Sequence, residues 1–162
     1  MESLTLPIFK NIILTGTFVE RADTVRKIVD ALEPKVRHTV LVYGNDTQFT
    51  CQCSGEGKFQ FVNNNSKVYV FRSRRSDVKQ NFKEESKSAI DVVATIGGSL
   101  DERREKLKEL LASSEVGEHV DIFIVRGEHG IAISHHGLVV EKKDGVSYFI
   151  FQPITVISKK QA

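Results

Sequence analysis

Two periods of apolar residues take turns along the chain. From Arg21 to Leu32 the apolar side chains recur as Val25, Ile28, Val29 and Leu32, one face of a helix, and Pro34 follows as its stop. A short run before it, Asn11 to Phe18, reads as a strand. After it the spacing falls to two, and Thr39 to Tyr43, Gln48 to Cys53, Lys58 to Val62 and Lys67 to Arg72 read as strands. The breaks between them are turn chemistry: Gly44-Asn45-Asp46, Ser54-Gly55-Glu56-Gly57 and Asn63-Asn64-Asn65-Ser66.

The same order then recurs. Asp91 to Thr95 reads as a strand, and Ser99 with Glu102 makes a capping box that opens a helix with Leu107, Leu110 and Leu111 on its inner face. Gly117 closes that helix. Strands follow at Val120 to Arg126, Gly130 to His135, Leu138 to Lys142 and Val146 to Gln152, with Lys143-Asp144-Gly145 as a hairpin turn and a further apolar run at Ile154 to Ile157. Between the two passes, Ser76 to Ala89 is polar and charged, with Val78 and Phe82 four apart, and reads as a helix or connector.

Written one under the other, Asn11 to Val78 and Ile90 to Ser158 match as strand, helix and four strands, with a period of about eighty residues. Glu20, Arg21, Val25, Ile28 and Val29 fall on Glu102, Arg103, Leu107, Leu110 and Leu111, and Val42-Tyr43-Gly44 falls on Val125-Arg126-Gly127. The expected class is therefore α+β: internally duplicated β-α-β4 units with antiparallel sheets, joined about a pseudo-twofold into one body. The expected boundaries are 1–75 for the first repeat, 76–89 for the connector and 90–162 for the second repeat. Each helix stripe is narrow, so one unit alone would bury a thin core and pairing of the units would add to stability.

Composition adds limits. The chain has 162 residues, 40% of them apolar, with ten Phe and no Trp, enough for a packed core. No stretch is apolar for the length of a membrane span, and Met1 to Lys10 has no signal-peptide pattern, so a cytoplasmic or nuclear home and no membrane are expected. Cys51 and Cys53 are two apart in a strand, where a disulfide between them is geometrically poor, so both are read as free thiols. The net charge of +2 is uneven: residues 1–75 hold 11 Lys and Arg against 7 Asp and Glu, while residues 76–162 hold 12 against 14. The first half can thus meet an anionic partner.

Candidate chemistry lies where the two copies differ. In the first, Phe59 and Phe61 share a strand face near Lys67, Arg72, Arg74, Arg75 and Lys79, an aromatic and basic combination on which RNA bases stack and phosphates pair. In the second, His129, His135 and His136 surround a hairpin that would bring His129 toward His135. Ser134 and His136 align with Cys51 and Cys53, so a packed pair of units could gather thiolates and imidazole around a metal, or set a cysteine beside a histidine for nucleophilic catalysis. No P-loop, Gly-x-Ser-x-Gly or Gly-x-Gly-x-x-Gly motif is present. Ile96-Gly97-Gly98-Ser99 reads as a tight turn into a capped helix more than as an anion site. The weakly charged run Val146 to Ile150 is a candidate exposed edge for a partner strand.

The expectation drawn from these features is a non-catalytic binding or regulatory module acting through protein contacts on its sheet surfaces and edges, with a protein partner or a homodimer and no cofactor. RNA binding through the first repeat is the alternative. A metal-dependent or thiol enzyme is the third reading.

Overall fold

Both helices that the stripes predict begin at the same device. The computed structural model describes residues 7–52, 57–73, 83–112, 120–133 and 135–153. Helix α1 (Phe18–Leu32) starts three residues ahead of the predicted Arg21, because Thr17 caps it: Glu20 N donates to Thr17 Oγ1 at 3.1 Å and Thr17 N donates to Glu20 Oε1 at 3.0 Å. Helix α3 (Leu100–Ala112) repeats this with Ser99 and Glu102 at 3.0 and 3.1 Å. The residue before each cap is a glycine in the left-handed region, Gly16 at φ +89° and Gly98 at φ +99°. An arginine after each capping glutamate reaches back to that glycine, Arg21 Nε to Gly16 O and Arg103 Nε to Gly98 O, both at 3.0 Å.

A further helix, α2 (Lys83–Ile96), precedes α3 and overturns one expectation. Asp91 to Thr95 is helical and not a strand, since Ala89, Ile90 and Val93 fall on one helical face and that face is buried. In the other half, residues 12–15 are irregular and not a strand, after a helical stretch at residues 7–9. There the Leu14 amide bonds to the Asn63 side chain instead of a neighbouring strand, at 2.9 Å. Neither half therefore opens with the predicted strand.

The strands are β1 (Arg37–Tyr43), β2 (Gln48–Gln52), β3 (Gly57–Asn63), β4 (Ser66–Ser73), β5 (Asp121–Arg126), β6 (His129–Ile133), β7 (His135–Lys143) and β8 (Val146–Pro153). They form two antiparallel four-stranded sheets in the orders β3-β4-β1-β6 and β2-β5-β8-β7. Three strands of each sheet come from one half of the chain and one from the other. β6 joins β1 with Val42 opposite Gly130, and β2 joins β5 with Phe49 opposite Val125. The chain thus divides into a first unit with α1, β1, β3, β4 and β6, and a second with β2, α2, α3, β5, β7 and β8.

Two further expectations give way to this pairing. β6 and β7 are not a hairpin: His129 lies opposite Tyr43, His135 opposite Pro153, and the two strands belong to different sheets. Val146 to Ile150 is not an edge, because β8 runs between β5 and β7 and buries Tyr148 and Ile150 completely. Among the described residues the edges are β3 and β6 in one sheet, β2 and β7 in the other.

Each unit has its own core. In the first, Ala22, Val25 and Val29 of α1 pack on Val40, Val42, Val68, Val70, Phe59 and Ala132, with Phe9 and Leu14 beside them. α1 lies over β1 and β6. The approach to β6 is close enough that a Cβ on Gly130 would fall 2.1 Å from the carbonyl carbon of Phe18, so only glycine fits there. In the second unit two helices share the work: Ala89, Ile90 and Val93 of α2 and Leu100, Leu107 and Leu111 of α3 pack on Ile122, Ile124, Val139, Tyr148 and Ile150. Among the described residues no helix is long and apolar enough to cross a membrane.

Candidate functional site

A hollow in the first unit lies along the edge strand β3. It has a volume of about 590 Å³ and is walled by Phe9, Ile12, Ile13, Phe61 and Val62, with Lys10 at its rim. Its shape follows from the way residues 9–14 are tethered. The Asn63 amide nitrogen donates to the carbonyls of Phe9 (3.0 Å) and Ile12 (2.7 Å), its oxygen accepts from Leu14, and the Asn64 amide nitrogen donates to the Leu14 carbonyl at 2.8 Å. Phe9 stacks on Phe61 with ring centroids 4.7 Å apart. The segment is held against the end of β3 by these bonds, and among the described residues no further strand pairs with β3 on its outer side. Ile13 is 74% exposed and Val62 72% exposed, unusual for large aliphatic side chains so close together.

A second hollow of about 310 Å³ shares Gln60, Phe61 and Val62 and adds Tyr43 and Lys67. Burial pushes the Tyr43 phenol above its usual value, and the nearby Tyr69 phenol adds to the shift. Lys67 is exposed and lies directly opposite Val62 in the sheet register.

The backbone of β3 completes the site. Asn64 and Asn65 form a two-residue turn with φ of 46° and 62°, the left-handed values of a tight hairpin, and they set Asn63 opposite Ser66. In such a hairpin the flanking pair exchanges hydrogen bonds and every second pair thereafter does the same, which assigns Phe61 with Val68 and Phe59 with Val70 to β4. Gln60 and Val62 therefore direct their backbone N–H and C=O groups away from the sheet, and among the described residues nothing bonds to them.

The residues predicted for RNA are scattered over different tasks. Phe59 is a core residue at 5% exposed, and Phe61 is sandwiched in a run of rings, with Phe9 on one side and Phe59 at 6.1 Å on the other. Arg72 faces Glu33, with Nε 3.3 Å from Oε1 as an ion pair without hydrogen-bond alignment. Lys67 is exposed. Arg74, Arg75 and Lys79 lie outside the described residues. Of the metal candidates, Cys51 is half-buried on β2 and in no disulfide, and His129 is half-buried on β6. His135 and His136 lie in β7 with side chains outside the described set, as does Cys53 altogether. Among the described residues no three His, Cys, Asp or Glu side chains are grouped to hold a metal.

A charged cluster that sequence reasoning missed surrounds His38, which is completely buried. Its Nδ1 lies 2.8 Å from Asp30 Oδ1 and its Nε2 3.0 Å from Glu33 Oε1, while Arg26 pairs with Asp30 and Asp23. The cluster ties the end of α1 to the start of β1. Compared with protein-family models, curated proteins and solved structures, the chain matches none.

Proposed function

We propose that the chain is a non-catalytic binding module that engages a partner protein along the free edge of β3 and the hollows beside it. The observation that carries this reading is the pair of outward-facing backbone positions, Gln60 and Val62, flanked by aliphatic side chains left in solvent. A strand laid on such an edge gains main-chain hydrogen bonds from the outward amides and carbonyls, and adjacent hollows select its side chains. The RNA reading draws on Phe59 and Arg72, and the burial of one and the ion pair of the other weigh against it.

The reading of an internal duplication belongs with this proposal. Taken as copies, the units would each be an α-β4 design that lends its second strand to the other sheet. The matched strand orders and the matched glycine, cap, glutamate and arginine at the head of α1 and α3 support it. On that view the groove is where the copies have diverged most.

Val62→Pro tests the function. Its nitrogen faces away from β4, so the sheet keeps its bonds while the outward donor disappears. A partner retained by the wild-type chain and identified by mass spectrometry should be lost by the variant with its circular dichroism unchanged. Undiminished retention overturns the reading.

A further inference from the structure

We infer that the β3 edge takes an extended peptide that carries both aliphatic and acidic side chains. This rests on the proposed use of the edge as the binding surface and goes on to name the chemistry of its occupant. Two hollows meet at the same three residues, Gln60, Phe61 and Val62: one is walled by Phe9, Ile12 and Ile13, the other by Tyr43 and Lys67. Side chains of a strand alternate between faces, so a peptide paired with Gln60 and Val62 sends successive residues into the two hollows in turn. A docked helix would present one stripe and fill one of them. Pairing at both outward positions calls for roughly four or five extended residues.

Charge decides the polar part of the peptide. Lys10 lines one hollow and Lys67 the other, and among the described residues neither hollow has a carboxylate in its wall. Among the described residues no acidic side chain pairs with either ammonium. A partner with Asp or Glu flanking its aliphatic residues would neutralise both, as complementary interfaces do. A second copy of this chain would bring like charges to that interface, because an antiparallel β3-to-β3 pairing carries Lys10 and Lys67 in from both sides. An RNA would satisfy the ammonium groups and leave the aliphatic walls and the outward backbone unmatched.

The test is selection of a random dodecapeptide phage library on the immobilised full chain, followed by fluorescence anisotropy of synthetic labelled copies of the enriched sequences. Enriched peptides should hold aliphatic residues with more Asp and Glu than Lys and Arg. Val62→Pro should weaken them more than tenfold, and Lys10→Glu with Lys67→Glu about tenfold, in line with two exposed ion pairs turned to repulsion. If Val62→Pro does not fold, Ile13→Asp, at an exposed position outside any strand, provides the arm that reads the groove. Peptides that lose affinity on Val62→Pro or Ile13→Asp yet show no acidic excess overturn this inference and leave the edge reading standing. Peptides indifferent to those variants, or no enrichment at all, overturn both. A labelled oligouridylate bound more tightly than any peptide, or a dimer in sedimentation that Val62→Pro dissolves, transfers the site to RNA or to a second copy and overturns the peptide.

Discussion

β3 and β7 each close one end of a four-stranded sheet, each is followed by a two-residue turn and an inner strand, and yet they stand in different company. Beside β7 lies α2, with Ile90 completely buried, and Lys143 of β7 pairs with Asp91 of α2 at 3.2 Å. The Asp91 carboxylate holds the Lys143 ammonium above its usual value. Beside β3 lies an irregular segment with one helical stretch, and Ile13 and Val62 face solvent. Width explains the difference. A helix is about 10 Å across and strands are about 4.8 Å apart, so one helix covers roughly two strands and a four-stranded sheet needs two. The second unit has two, α3 over β2 and β5 and α2 against β7. Among the described residues the first has α1 over β1 and β6, and Phe9, Ile12 and Leu14 cover only part of what remains. A groove is the geometric remainder of that shortfall.

The sharpest way to break the comparison is to truncate an isoleucine in each unit. Ile90→Ala should lower the stability of the protein by about 2–5 kcal/mol, the usual cost of a cavity in a packed core. Ile13→Ala, at an exposed position, should change it by less than about 0.5 kcal/mol. Urea denaturation of the two variants measures both. Equal losses would mean that residues 9–14 pack as tightly as α2 does and that no groove persists in solution.

Much of this architecture is legible in the chain, and the boundary of legibility has a physical cause. The helix stripes Val25, Ile28, Val29 and Leu107, Leu110, Leu111 and the alternation of the strands place most elements within a few residues, because period alone identifies them. Which strand pairs with which is not in the period: β2 alternates identically whether its partner is β1 or β5, and the pairing is decided by contacts far apart in sequence. Asp91 to Thr95 misleads because Val92 and Val93 are β-branched, and the buried face of α2 outweighs that local preference. The groove left a faint trace. Ile12, Ile13 and Leu14 are consecutive, and one buried surface cannot cover three neighbours of an extended run, so one of them had to be exposed. Alternation sets Val62 on the face opposite Phe59 and Phe61, but whether that face is covered depends on packing that the period does not carry.

The tether of the irregular segment offers a smaller effect. Asn63→Ala removes the acceptor for the Leu14 amide and the donor to two carbonyls in a buried site, and should cost about 2 kcal/mol by thermal melting. Asn63→Asp keeps the acceptor but turns a carboxylate toward the carbonyl oxygens of Phe9 and Ile12, so it should be no better than alanine. In the second unit the corresponding tie is the exposed ion pair, and Asp91→Asn should leave the melting temperature close to wild type. If Asn63→Ala melted like wild type, residues 9–14 would be held by their apolar contacts alone.

The smallest effect tests what the two units have in common. Glu20 and Glu102 are both held below the usual glutamate range, first by the backbone amides of Thr17 and Ser99 and then by their hydroxyl groups. A carboxyl lowered by folding contributes stability that is fully present above its unfolded value and disappears as the pH falls through the lowered one. The contribution of both caps should therefore hold at neutral pH and vanish only below the ordinary glutamate range. Titration of the side-chain carboxyl carbons by NMR should give Glu20 and Glu102 similar midpoints, both under those of the other exposed glutamates. Thr17→Ala should return Glu20 toward the ordinary value and leave Glu102 unmoved. Different midpoints in the wild type would mean that the heads of α1 and α3 are built alike in outline only, and the case for a shared ancestor of the two units would lose its most local support.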